Sequence, residues 1–155
     1  MSKVFPDTNI FVYSLDTTDP IKQKCCRTLI REISSENLGV ISTQVLQEFY
    51  VASTSKLGAD PLIIKDIIRS LERIETVVIT PALIKEAIDC SLINRLSFWD
   101  ALIVVAAESA KCNLLWTEDL NHGQIIRGVR VENPLRAGER RGGKGNFEFW
   151  ILNFE

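Results

Sequence analysis

The sequence predicts an α/β fold, a three-layer α/β/α sandwich around a mainly parallel central sheet of about five strands. Three observations predict it. Short β-branched runs alternate with longer segments whose apolar residues recur every three or four positions, the pattern of strands joined by crossover helices. Asp-Pro and Thr-Pro pairs stand where those longer segments begin, as N-caps with proline in the first turn. The chain has 155 residues, 46% hydrophobic and 25% charged, enough to bury one core without disulfide or metal staples.

Val4-Phe5 leads into Asp7-Thr8-Asn9 and the apolar stretch Ile10 to Tyr13, a short strand ending near Asp7 with a helical turn after it. Pro6 gives a ladder no donor and is tolerable only near the strand end. Asp19-Pro20 opens a helix through Ile21, Cys25, Leu29, Ile30 and Ile33. Gly39 to Ile41 is a strand, and Ser42 or Thr43 caps a helix with Val45, Leu46, Phe49 and Ala52 on its apolar face. Asp60-Pro61 starts a helix striped by Ile63, Ile64, Ile67, Ile68, Leu71 and Ile74. Thr76 to Ile79 is a strand, Thr80-Pro81 opens a helix carrying Leu83, Ile84, Ala87, Ile88 and Leu92, and Ser97 opens another. Leu114 to Thr117 and Val129 to Glu132 are the last strands. The reading divides the chain into a domain over 1–135 and a basic, glycine-rich linker with an apolar tail over 136–155, ending in Phe147, Phe149, Trp150, Ile151, Leu152 and Phe154.

Composition narrows the chemistry. The cysteines, Cys25, Cys26, Cys90 and Cys112, have no C-x-x-C spacing and read as buried reduced thiols. A single histidine, His122, excludes a multi-histidine zinc site, and neither a G-x-S-x-G elbow nor a Walker-type loop occurs. No signal peptide is visible, and the longest apolar run, Ala101 to Ala107, is too short to span a bilayer; a cytoplasmic protein with no membrane association is expected. The formal net charge of −2 does not announce nucleic-acid binding. Enzymatic chemistry here would rest on carboxylates.

Ligands of parallel α/β sheets gather at the carboxyl ends of the strands. Asp7 follows the first strand, Glu48 lies in the helix after the second, Asp100 is in the first turn of the helix begun by Ser97, and Asp119 follows the strand ending at Thr117. Each acid also has an ordinary reading: an Asx-turn for Asp7, a capping box Ser97-x-x-Asp100, a helix start for Glu118-Asp119. Glu48 lies beside an apolar face and needs a partner. Together they form a candidate rim. Two carboxylates about 4 Å apart repel by roughly 4 kcal/mol at an effective dielectric near 20, so such a rim either takes up protons or holds Mg²⁺ or Mn²⁺. A hard ion there would activate water against a phosphodiester. Asn9 and Thr117 are placed to orient ligands or water from behind.

Phe5-Pro-Asp-Thr-Asn-Ile-Phe-Val-Tyr13, Gln44-x-x-x-Glu48-Phe49, Leu96-Ser-Phe-Trp-Asp-Ala-Leu-Ile103 and Leu115-Trp-Thr-Glu-Asp-Leu-Asn-His-Gly123 resemble the PIN domain, and more narrowly the VapC-type toxins of prokaryotic toxin–antitoxin pairs. The resemblance runs in order from about residue 3 to Pro134. It implies a metal-dependent endoribonuclease whose acidic set falls on Asp7, Glu48, Asp100 and Asp119, with Thr117 at a hydroxyl position and Asn9 at a supporting one. It also implies a homodimer and a small antitoxin whose C-terminal segment fills the acidic groove. His122 matches no catalytic position of the family and reads as structural. Pro6 stands where an aliphatic residue usually precedes the first acid, and the tail beyond Asn133-Pro134 is not covered.

RNA would have to be attracted locally. Lys22, Lys24, Arg27 and Arg31 on one helix form a candidate basic margin, with a solvated face as the ordinary reading; Arg136, Arg140, Arg141 and Lys144 of the tail are another. The alternative function is a catalytically silent PIN-like module that binds RNA or protein. A phosphoacceptor receiver fold is disfavoured, because Thr80-Pro81 and Glu118 stand where that fold wants an aspartate and a lysine.

Overall fold

A computed structural model describes residues 2–136. The linker and apolar tail, from residue 137 on, lie outside the described residues. The architecture is the α/β/α arrangement that the alternation predicts. The elements, in chain order, are β1 Val4–Pro6, α1 Thr8–Tyr13, α2 Pro20–Ser35, β2 Val40–Ser42, α3 Thr43–Ser55, α4 Pro61–Leu71, β3 Glu75–Val77, α5 Pro81–Asn94, α6 Phe98–Ser109, β4 Leu114–Trp116, β5 Ile125–Ile126 and β6 Val129–Glu132.

A four-stranded sheet runs β1-β4-β6-β5, parallel except for β5. The parallel pair β2-β3 continues it past β1, through the bridge Val4↔Gly39 and a bond from Val4 N–H to the Leu38 carbonyl at 2.9 Å. The strand order reverses between β1 and β4, which makes the crevice outside their carboxyl ends the expected ligand site. Pro6 ends β1, so its missing donor costs little. The sequence reading missed β5, a two-residue strand that turns back on β6 through Arg127 and Gly128. Both have positive φ, 51° and 79°, the backbone of the tight hairpin turns that match strand twist.

Side chains alternate across the sheet. Val4 and Trp116 join Ile10, Cys25, Cys26, Leu29 and Ile33 on one face, beneath α2. Phe5, Leu115, Val129 and Val131 face the opposite layer, with Val45 and Phe49 of α3, Ile64 of α4, and α6. Every residue of α6 from Ala101 to Ala107 is buried, so that apolar run is a central core helix. Among the described residues, no single helix is long and apolar enough to cross a membrane. All four cysteines are buried and outside any disulfide among the described residues, and burial pushes the Cys112 thiol up to about 12.

The caps agree with the sequence signals. Asp19, Ser42, Asp60, Thr80 and Ser97 each accept a backbone N–H at the start of their helix. Ser97 is the cap that bears on the cleft, because its Oγ accepts from the Asp100 N–H at 3.1 Å and sets the turn that carries Asp100. Ser97→Ala should cost about 1 kcal/mol, read as a lower midpoint in urea, while Ser97→Asp should restore it.

Candidate active site

The four acids arrive from four elements at the carboxyl edge of the sheet. Asp7 follows β1 and caps α1, with its N–H bonded to the Trp116 carbonyl at 2.8 Å. Glu48 projects from α3, Asp100 from the first turn of α6, and Asp119 from the loop after β4. All four line one cleft of about 530 Å³.

Asp7 is 8% exposed. Its Oδ1 accepts the Thr8 N–H at 2.7 Å, and its Oδ2 accepts the Thr117 hydroxyl at 2.9 Å. Thr117 Oγ1 in turn accepts the Asp119 N–H at 3.1 Å, so one buried hydroxyl fixes two acids. Burial pushes the Asp7 carboxyl up to about 6; the Thr117 and Thr8 bonds oppose the rise, and the charges of Asp119 and Glu48 add to it. Asp119 is also raised, first by desolvation and then by the charges of Asp100 and Glu118. Asn9 Nδ2 donates to Asp119 Oδ2 at 3.4 Å. Glu48 accepts the Thr8 hydroxyl at 2.8 Å, which gives it the partner its position demands, and accepts from Gln44 Nε2 at 3.4 Å. The capping-box reading of Asp100 holds only on the serine side. The Asp100 carboxyl group instead lines the cleft.

Thr8, Gln44, Lys56 and Trp99 also belong to this neighbourhood and were given no role in the sequence reading. Gln44 had a signal, lying one helical turn before Glu48 in the Gln44-x-x-x-Glu48 motif. Its Oε1 is buried without a hydrogen-bond partner among the described residues, and its Nε2 also donates to the Trp99 carbonyl at 3.1 Å. Of the sequence-predicted basic margin, none lines this cleft. Lys22 pairs with Glu118 at 3.5 Å above the Tyr13 ring. Arg27 donates to the Ser14 carbonyl at 2.7 Å, and with Arg31 it borders a separate groove beside Phe11 and Phe49. The reason is geometric: α2 packs its apolar side on the sheet face that carries Val4 and Trp116, and Lys24, like the other three, is not among the residues that line the cleft. His122 is exposed and accepts the Asn133 N–H at 3.0 Å through Nδ1, closing the loop before β5, outside the cleft.

The donor set is all oxygen, the type that hard divalent cations select. Asp7 spends only two of its roughly four lone-pair sites on Thr8 and Thr117, which leaves capacity for an ion. Among the described residues, however, no group of three such side chains is already close enough to hold an ion as it stands.

Solved structures similar to this chain carry the same arrangement of elements. VapC20 of Mycobacterium tuberculosis, a toxin that cleaves the sarcin–ricin loop, superposes with a TM-score of 0.60 at 15% identity, over 76% of this chain and 90% of that one. VapBC2 of Rickettsia felis, bound to a fragment of its promoter DNA, gives 0.59 at 21% identity over 83% and 96%. A toxin–antitoxin complex from Klebsiella pneumoniae gives 0.61 at 18% over 87% and 99%. Likeness at these identities shows the fold. A comparison with curated proteins finds no match. The PIN domain profile matches residues 4–127, from β1 through Asp7, Glu48, Asp100 and Asp119 to the start of the β5–β6 turn. With that span covered, the chain belongs to the PIN domain family.

Proposed function

We propose that the protein is a divalent-metal-dependent endoribonuclease of the VapC toxin kind, acting at the cleft of Asp7, Glu48, Asp100 and Asp119. The observation that carries the reading is the convergence of four carboxylates from four elements on one cleft, with Asp7 buried and held in its proton-binding range. RNA as substrate is supported by VapC20, a structural relative that cleaves the sarcin–ricin loop.

Magnesium or manganese fits the donor chemistry, and such an ion, when bound, supplies Lewis acidity toward a phosphate and lowers the pKa of an attacking water. The chain's own residues do the rest. Thr117 holds the Asp7 carboxylate and the Asp119 backbone in register at the cleft. Thr8 and Gln44 hold Glu48 in the same cleft. Asn9 steadies the exposed Asp119. Asp100, raised on the Ser97 turn, completes the ring.

An antitoxin is the proposed protein partner, supported by the structural relatives solved as toxin–antitoxin complexes. A second copy of the chain is the other; α5 offers Leu92 and Ile93, 75% and 77% exposed, as apolar surface for it.

The test is cleavage of a labelled RNA pool by purified protein with Mg²⁺, with Mn²⁺ and with EDTA. Cutting should need the metal, and Asp100→Asn should lower it about 100-fold or more. If the wild type binds metal and RNA yet cuts nothing under any condition, the catalytically silent binding module takes the reading's place. If it binds no metal by calorimetry, the carboxylate mechanism fails.

A further inference from the structure

Beside the carboxylates the cleft has a different character. Trp99 lines it with 61% of its surface exposed. An exposed indole is ordinarily mobile, but this one is braced. Phe98 meets it edge-on at 5.1 Å, and the Trp99 carbonyl accepts from Gln44 Nε2, the same amide that touches Glu48. The Trp99 backbone is thus tied to Glu48 through Gln44 and to Asp100 as its chain neighbour, and Phe98 supports the ring. Along α3 the lining runs from Glu48 through Val51 and Ala52 to Ser55 and Lys56. Lys56 lies eight positions beyond Glu48, about 12 Å along the helix axis. It is exposed and is the one cation among the described residues that line the cleft. The cleft therefore passes from acidic to apolar to cationic. A base between two phosphates matches that order: one phosphate at the carboxylates, a flat ring in the middle, a second phosphate at the far end.

We propose that this end of the cleft is a nucleotide subsite, in which the Trp99 indole stacks on an unpaired base beside the scissile phosphate and Lys56 binds the next phosphate along. The inference rests on the ribonuclease reading for its substrate and deepens it: the target is single-stranded at this position, because a base must leave its own stack to lie on an indole. A purine presents the larger ring and is preferred there over a pyrimidine by about threefold, since stacking strength sets such modest preferences.

Two readouts test the subsite apart from cleavage. The first is the affinity of the full chain for short fluorescent single-stranded RNAs in EDTA. Trp99→Ala should weaken binding about 10-fold and erase the purine preference, while Trp99→Phe should keep most of both. Lys56→Ala should weaken all sequences alike and reduce the salt slope by about one. The second is fluorine NMR of protein labelled with 5-fluorotryptophan, with the Trp99 signal assigned by its loss in Trp99→Phe. Added RNA should move that signal and leave the buried Trp116 signal in place. RNA binding with an unmoved Trp99 signal and an unaffected Trp99→Ala affinity overturns the proposal, whether or not the RNA is cut. A Trp99→Ala change in assembly mass by light scattering, with RNA affinity unchanged, overturns it in favour of a protein-contact role. Trp99-dependent binding without cutting in Mg²⁺ or Mn²⁺ upholds the subsite and sinks the nuclease reading. No binding of RNA by the wild type, either in EDTA or with Mg²⁺ present, sinks both.

Discussion

Asp7→Asn should produce a protein that is catalytically dead and more stable than the wild type at neutral pH. The two effects share one cause. The Asp7 carboxyl is buried, and its burial pushes it up to about 6 from the ordinary 3.8. In the unfolded chain it ionises near 4. Between these values the folded state binds more protons than the unfolded one, so stability falls as pH rises through the window and stays lowered above it. A rise of about two units corresponds to roughly 3 kcal/mol at neutral pH. Asparagine cannot ionise. Its Oδ1 can still accept the Thr8 N–H, and its Nδ2 can donate to Thr117 Oγ1, which already accepts from Asp119. That reversal at Thr117 sacrifices part of the gain, leaving a net stabilisation of about 1–2 kcal/mol above pH 6. Below pH 4, where both side chains are neutral, the gain is gone and only the reversal at Thr117 remains, so the variant should be the less stable protein there by about 1–2 kcal/mol. Cleavage should fall about 10³-fold or more, the loss expected when a charge aimed at the reacting centre is removed. Urea denaturation at pH 7.5 and pH 4 checks the first part. Destabilisation of equal size at both pH values would mean that the hydrogen bonds of Asp7 outweigh the cost of its burial. Added Mg²⁺ or Mn²⁺ supplies an internal control: under the proposed function it should raise the unfolding midpoint of the wild type and leave that of the variant nearly unmoved.

Such a trade of stability for function is characteristic of a site built from like charges, and it bears on what the sequence could reveal. The acids were legible because each sits at a punctuated position: after a strand, one turn past a cap, or beside an apolar stripe. The helix starts were legible because Asp19-Pro20, Asp60-Pro61 and Thr80-Pro81 state them in local chemistry, and each proved to be a cap. The strands came out within one or two residues, as with β3, read as 76–79 and found at Glu75–Val77. What stayed hidden depends on tertiary contact. β5 has two residues and no alternation to detect. Gln44, Trp99 and Lys56 acquire their place only once α3 and α6 face each other across the cleft. Conversely, the helical spacing of Lys22, Lys24, Arg27 and Arg31 says nothing about which face of the sheet α2 covers, and α2 covers the face that carries Val4 and Trp116, with none of the four lining the cleft.

Phe49→Ala should be the most destabilising of these substitutions, and it separates holding the fold from performing the chemistry. Phe49 is the residue after Glu48 on α3, is 1% exposed, and belongs to the larger apolar layer with Phe11, Val45 and Ile64. Neighbours on a helix point about 100° apart, so Glu48 can enter the cleft while Phe49 enters the core. Removing the ring deletes the buried apolar surface and leaves a cavity that the α1, α3 and α4 backbones can close only in part. The expected cost is about 4 kcal/mol, which lowers the thermal midpoint by roughly 10 °C in a domain of this size. Phe49→Leu should cost under half as much, because most of the volume is retained. Cleavage measured well below the lowered midpoint should fall by less than about 10-fold for Phe49→Ala, since Asp7, Asp100 and Asp119 are carried by other elements and Glu48 keeps its bond to Thr8. A loss of less than about 1 kcal/mol would show that the groove beside Phe11 and Phe49 collapses without cost. A loss of activity as deep as that of Asp7→Asn, with the protein still folded, would show that Glu48 is positioned by its packed neighbour rather than by Thr8 and Gln44.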